Sequence, residues 1–188
     1  MTPLEEAEAV AALRRGEVVA IPAESSYGLS ALALDAAAVS RLFALKGRSE
    51  TAPVPVLIPD ASWLDRVGTR VPEAARVLAA RHWPGALTIV VHASADVPLR
   101  TCGGTGKIGV RMPGPSAVAD VVRALGLPIA STSANRPGEP PCLRESEVIA
   151  LFPGLVVLPG PAPGGLPSTV VDATVDPPRV LRAGPVVV

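Results

Sequence analysis

Apolar side chains recur along this chain in two alternating rhythms. Leu4, Ala7, Val10, Ala11 and Leu13 return at helical spacing behind Pro3, and Gly16 can end the run, so residues 3 to 15 read as an amphipathic helix. Residues 17 to 22 are short and rich in strand formers, whereas residues 23 to 30 break the pattern and read as an unusual turn. Asp35 can then cap a helix that runs through Ala36, Val39, Leu42, Phe43 and Leu45 to Gly47. Further strands are expected at 54–58, 87–92, 108–112, 128–131, 155–158, 169–171 and 179–181, and further helices at 72–82, 116–125 and 146–152. Strands and helices that interleave argue for a sheet covered by helices, and the irregular order with proline-rich links favours a mixed sheet over a plain doubly wound parallel one. The predicted fold class is α/β, a twisted mixed β-sheet covered by helices, in a single domain spanning residues 1–188.

Composition narrows the function. Seventeen Lys+Arg balance seventeen Asp+Glu, so there is no broad positive field to collect long polyanions, and any anion must be held locally. Hydrophobic residues make up 48% of the chain and charged ones 18%, the balance of a chain that buries a core. Aromatic residues are 3%, too few for a platform that stacks successive bases. The longest apolar runs fall far short of the ~20 residues of a membrane span. The first decade is acidic, through Glu5, Glu6 and Glu8, where a signal peptide would be basic, so a cytoplasmic setting is the expectation. Cys102 and Cys142 lie without a CxxC, and His82 and His92 without an HExxH, so neither a structural disulfide nor a protein-built metal site is expected.

Several short segments carry candidate chemistry. Gly103-Gly104-Thr105-Gly106-Lys107 imitates a phosphate loop, but the required earlier glycine is Thr101 and the residue after the lysine is Ile108, so a Walker A site is rejected. Strand alternation puts Lys107, Gly109 and Arg111 on one face, with space above Gly109, a pair of cations suited to gripping two anionic groups. Residues 22 to 29, PAESSYGL, supply hydroxyls, backbone N–H groups and the only tyrosine for a pocket wall. Lys46-Gly47-Arg48 closes a helix, where cations are favoured by its dipole. Residues 131 to 135, STSAN, follow a buried strand, at the place where α/β proteins put ligand sites. Ser168 and Arg182 lie on the closing strands.

In this order and at these separations, PAESSYGL, KGR, WPGALT, VRMP, STSAN, STVVD and LRAG resemble the YrdC-like family of threonylcarbamoyl-AMP synthases, from about Gly16 to Gly184. The resemblance implies a twisted mixed α/β sheet and a reaction in which L-threonine, bicarbonate and ATP give L-threonylcarbamoyladenylate and pyrophosphate. It further implies a downstream partner, the transferase machinery that modifies tRNA. By the same resemblance Lys46 and Arg48 match the KxR pair that contacts ATP phosphates, which would make them the catalytic pair, and Ser133 with Asn135 match the SxN pair that binds the nucleotide. Arg182 and Lys107 are expected to help hold ATP, and Arg111 to take the threonine carboxylate, for which a planar two-pronged donor suits better than lysine. Ser25, Ser131 and Ser168 match positions that line the amino-acid pocket. Mg²⁺ is expected to ride on the ATP phosphates. The chain departs from the family at Ala23, where a threonine is usual, at Pro137, where a serine is usual, and at Gly114-Pro115, which lack a histidine often found there. Two other readings stay open. One is a module that binds RNA by shape without catalysis, opposed by the zero net charge, and the other is a carbamoyl-transfer domain of the hydrogenase-maturation type, opposed by the two isolated cysteines.

Overall fold

Local chemistry fixes the helices first. In the computed structural model, which describes residues 2–47, 49 and 51–188, α1 (Pro3–Arg14) starts in a capping box: Thr2 Oγ1 accepts from the Glu5 N–H at 3.3 Å, and a Glu5 carboxylate oxygen accepts from the Thr2 N–H at 2.6 Å. Helix α2 (Ala36–Lys46) is capped by Asp35, which accepts from the Ala37 and Ala38 N–H groups, and stops at Gly47 in the left-handed region, φ 65°. Later come α3 (Leu64–Val67), α4 (Glu73–His82), α5 (Ala117–Leu125) and α6 (Glu145–Leu151). The segment holding α3 carries no helix in the sequence reading.

The strands are β1 (Val19–Pro22), β2 (Tyr27–Leu32), β3 (Val56–Leu57), β4 (Leu87–His92), β5 (Lys107–Arg111), β6 (Ile129–Ser133), β7 (Val156–Val157), β8 (Thr169–Asp172) and β9 (Arg179–Arg182). Among the described residues they form one sheet in the order β7-β1-β2-β6-β3-β5-β4-β8-β9. The β7/β1, β3/β5 and β4/β8 pairs are parallel and the others antiparallel, so the sheet is mixed. This is the α/β architecture expected, with one strand that the sequence reading left inside a turn. The turn is confined to the start of that segment, where the Ala23 N–H donates to Ser26 O, and Tyr27–Leu32 pairs with β1 and β6 on either side. Its glycine makes room for a neighbour's hydroxyl: a Cβ on Gly28 would sit 2.7 Å from Ser131 Oγ.

Alternation along the strands divides the apolar residues between two faces. On one face Ala20, Val56 and Ala130 pack with Val39, Leu42 and Phe43 of α2, with Ala75 and Ala79 of α4 and with Val148 of α6. On the other, Val19, Ile21, Leu57 and Ile129 pack under α1 and α5, through Ala9, Leu13, Val118, Val121, Val122 and Leu125. The second cover is incomplete. Along β6, Ile129 is fully buried beneath it, but Ser131 and Ser133, which share its face, are only partly buried, as are Lys107, Gly109 and Arg111 of β5. Where the helices stop, the same face turns polar.

Candidate active site

That polar stretch is a cleft of about 280 Å³. Its walls follow the sheet order: Gly28 of β2, Ser131 and Ser133 of β6, Leu57 of β3, Arg111 of β5, Thr88 of β4, then Ser168 before β8 and Arg182 of β9. The β1–β2 turn closes one end with Glu24, Ser25 and Ser26. The strands therefore bring Ser25, Arg111, Ser131, Ser133, Ser168 and Arg182, far apart in the chain, to one hollow. Lys107 goes elsewhere. It shares a face with Arg111, but four residues of strand carry it about 13 Å away. There its ammonium pairs with Asp172 at 3.2 Å, in a different hollow rimmed by Asp176 and Arg179. The space foreseen above Gly109 is occupied: a Cβ there would meet Thr88 Cγ2 at 3.0 Å.

Two guanidinium groups dominate the cleft. Arg111 donates from Nε to Gly85 O at 2.8 Å and from Nη2 to Glu24 Oε1 at 2.5 Å. Arg182 donates from Nε and Nη2 to Ser168 O at 3.0 and 2.8 Å, and from Nη2 to Ser168 Oγ at 3.1 Å. Each is fixed along one edge, and each keeps Nη1 without a hydrogen bond among the described residues. Burial pushes the pKa of both arginines down. At Arg111 the Glu24 carboxylate opposes that shift and the charge of Arg182 adds to it. Both stay charged at neutral pH, because arginine starts far above it. Against these two cations the described residues lining the cleft include a single carboxylate, Glu24, so the hollow is built to receive anions. The hydroxyls add neutral partners: Ser168 Oγ lies 2.8 Å from Thr88 Oγ1, and Ser30 Oγ donates to Ser131 Oγ at 3.1 Å.

Lys46 and the SxN pair form a second cluster behind the cleft wall. Lys46, 6% exposed, donates to Ser133 O at 2.7 Å, to Asn135 O at 2.5 Å and to Asn135 Oδ1. Ser133 Oγ also donates to Asn135 Oδ1, at 2.6 Å, and Asn135 Nδ2 donates to Glu139 O at 2.6 Å. Ser133 links this cluster to the cleft; Lys46 and Asn135 do not line it. Arg48 lies outside the described residues. Tyr27 is fully buried, and its hydroxyl meets the carbonyls of Leu158, at 3.0 Å, and Gly160. Among the polar residues that line the cleft, sequence reasoning gave no individual role to Glu24 or to Thr88. Each lay inside a segment already singled out, PAESSYGL and WPGALT, and alternation from Ile89, a core residue, was the available signal for Thr88.

Among the described residues no group of three His, Cys, Asp or Glu side chains is placed to hold a metal ion, and no helix is long and apolar enough to cross a membrane. Comparison with known proteins matches this geometry to a family. The Sua5/YciO/YrdC family model, described as telomere recombination, matches residues 11–184. The threonylcarbamoyl-AMP synthases of Pyrococcus abyssi and Bacillus subtilis are each 38% identical to this chain, over 92% and 95% of it. The chain spans about half the length of those two relatives, 52% and 53%. The threonylcarbamoyl-AMP synthase of Chromohalobacter salexigens is 36% identical over 88% of this chain and 91% of its own length. Among solved structures, P. abyssi Sua5 complexed with L-threonine superposes with a TM-score of 0.92 at 36% identity, over 98% of this chain and 55% of that one. E. coli YciO superposes with a TM-score of 0.84 at 28% identity, over 97% of this chain and 89% of that one. A mixed sheet with a two-arginine cleft on its half-covered face, matched from residue 11 to residue 184, makes this chain a member of the Sua5/YciO/YrdC family.

Proposed function

We propose that this chain is a threonylcarbamoyl-AMP synthase, which condenses L-threonine, bicarbonate and ATP to L-threonylcarbamoyladenylate and pyrophosphate. The observation that carries the reading is the pair of edge-fixed guanidiniums, Arg111 and Arg182, with uncommitted Nη1 groups on one hydroxyl-lined cleft. The reaction must join a carboxylate, a carbamate and a triphosphate, all anionic, and fixed cations in a partly dry hollow offset that repulsion without reorganising. In this proposal Arg111 takes the threonine carboxylate, and Ser25, Ser131 and Ser168 line the amino-acid end. Arg182 and Ser133 hold ATP, with Arg48 serving the phosphates and Lys46 and Asn135 positioning Ser133 from behind the wall. The carbamate oxygen then attacks the α-phosphorus in line with pyrophosphate, a step that needs positioning and charge and no protein nucleophile. Mg²⁺ enters as part of the substrate, on the phosphate oxygens. Lys107, held by Asp172 in a separate hollow, has no part in this scheme. A cytoplasmic setting and hand-over of the adenylate to a tRNA-modifying transferase belong to the same proposal.

The test is phosphate release in the presence of pyrophosphatase, with Mg²⁺-ATP, bicarbonate and threonine. Release should require both threonine and bicarbonate. Arg111→Ala should raise the threonine concentration needed by about 100-fold, the worth of a charge-assisted two-pronged contact, and the ATP concentration far less. Equal effects on both substrates would remove Arg111 from the amino-acid end. RNA binding without turnover, or turnover only with carbamoyl phosphate, would overturn the synthase reading itself.

A further inference from the structure

Strand β4 places Leu87, Ile89 and Val91 in the core, yet Thr88 between them is 4% exposed and brings a hydroxyl to the cleft wall. Its methyl is accounted for by packing, since a Cβ on Gly109 would meet Thr88 Cγ2 at 3.0 Å. Valine would fill that space as well, so the hydroxyl needs its own explanation. Its partner among the described residues is Ser168 Oγ, at 2.8 Å. Ser168 in turn accepts from Arg182 three times, from Nε and Nη2 at its carbonyl and from Nη2 at Oγ, at 3.0, 2.8 and 3.1 Å. The backbone around Ser168 is also backed by Gly184, where a Cβ would sit 2.5 Å from Pro167 O and from Thr169 N. Thr88, Ser168 and Arg182 therefore form a row that runs from the sheet to the open end of a guanidinium.

We infer that Thr88 is a positioning residue, whose hydroxyl donates to Ser168 and thereby turns the Ser168 proton toward an anion held at Arg182. The inference rests on the function proposed above, because it takes the anion-binding role of Arg182 from that reading. A hydroxyl oxygen offers two lone pairs and one proton. At Ser168 the guanidinium fills one lone pair. Once the Thr88 proton fills the other, the Ser168 proton has no acceptor left among the described residues and turns to the cleft, beside the open Nη1 of Arg182. The opposite order, with Ser168 donating to Thr88, strands the Thr88 proton at the more buried of the two oxygens, 4% against 9% exposed. An anionic oxygen in the cleft settles the order, since it accepts from Nη1 and from Ser168 together, and each bond in the row strengthens the next. Valine at position 88 would leave the second lone pair empty and the Ser168 hydroxyl free to turn away. Thr88 thus acts on the ligand only through Ser168.

The test is a double-mutant cycle on the whole chain, read as kcat/KM for ATP in threonine- and bicarbonate-dependent phosphate release. Thr88→Val should lower kcat/KM about tenfold, the worth of one hydrogen bond to a charged row, and Thr88→Ser, which keeps the hydroxyl, should recover it to within about twofold of wild type. In a Ser168→Ala background the same Thr88→Val change should cost no more than about twofold, because the residue it acts through is gone. Equal losses in the two backgrounds, or no recovery in Thr88→Ser, overturn the proposal and leave Thr88 a packing residue. Should Thr88→Val fail to fold, Thr88→Cys, of similar size and with only a weak donor, carries the same comparison. Calorimetric titration of the same variants with inorganic pyrophosphate separates this inference from the reading beneath it. The non-additive pattern in pyrophosphate affinity without threonine-dependent release overturns the synthase and keeps the row. Release with additive losses keeps the synthase and overturns the row, and an absence of both release and pyrophosphate binding overturns both.

Discussion

Two basic clusters lie a few residues apart on this fold and use their protons in opposite ways. Around Lys46 the ammonium is buried and its hydrogen bonds go to Ser133 O, Asn135 O and Asn135 Oδ1, which places its charge in the service of the turn after β6. Around Arg111 and Arg182 the protein takes one edge of each guanidinium and leaves the other end open on the cleft. Residue type does not separate them, since both are cations among hydroxyls and carbonyls at strand ends. What separates them is how much of the donor capacity the protein itself consumes: a spent cation holds structure, and a partly spent one is held in place for a ligand.

The comparison breaks most readily at Lys46. Lys46→Met should take the buried ammonium away from Ser133 O and Asn135 O and cost about 2–4 kcal/mol of stability, which for a chain of this size lowers Tm by roughly 5–15 °C. A variant that keeps its Tm while losing Mg²⁺-ATP affinity would move Lys46 to the ligand-facing side. Tyr27 sharpens the same point with a smaller effect. Burial, reinforced by the charge of Glu145, pushes its hydroxyl up to about 12 from an ordinary value near 10. The folded chain therefore holds this proton over a range in which the unfolded chain releases it, so stability should fall by about 1.4 kcal/mol per pH unit between those values. Tyr27→Phe, followed by urea unfolding at pH 9 and pH 11, should lose stability at the lower pH and show a shallower decline toward the higher one. An unchanged slope would show that the hydroxyl is not spent in the fold. The smallest effect is expected at Lys107. Its partner Asp172 sits where burial alone would raise the carboxyl pKa, but the Thr174 hydroxyl and N–H together with Lys107 outweigh this and lower it. A depressed carboxyl stabilises above its unfolded value, and the gain is lost as pH falls through the lower folded one. Lys107→Ala should cost no more than about 1 kcal/mol at pH 7, less below pH 4, and leave the ATP requirement within about twofold. A larger change in that requirement would bring Lys107 back into the site.

Much of this was legible in residue order. Pro3 and Gly16, and Asp35 and Gly47, are local signals, and α1 and α2 begin and end beside them because capping is decided within a few residues. The same held for β4, whose expected span matches the observed one. Strand β2 was not legible. Tyr27–Leu32 is buried on both sides and carries Gly28 and Ser30, so it shows neither alternation nor the usual strand formers, and only its neighbours β1 and β6 make it a strand. At the site, a shared face was foreseen for Lys107 and Arg111, but not the distance along the strand that parts them.

By itself the amino-acid sequence determined which segments turn, cap and alternate, and which polar residues had to be accounted for, since these depend on interactions within a turn or two of chain. Only the tertiary structure decided that α1 and α5 stop short of covering their face of the sheet, that Glu24 meets Arg111 across the chain, and that Lys46 spends its protons on carbonyls. Those outcomes depend on contacts between residues that are remote in sequence, and on how many hydrogen bonds each group has left once the fold has taken its share.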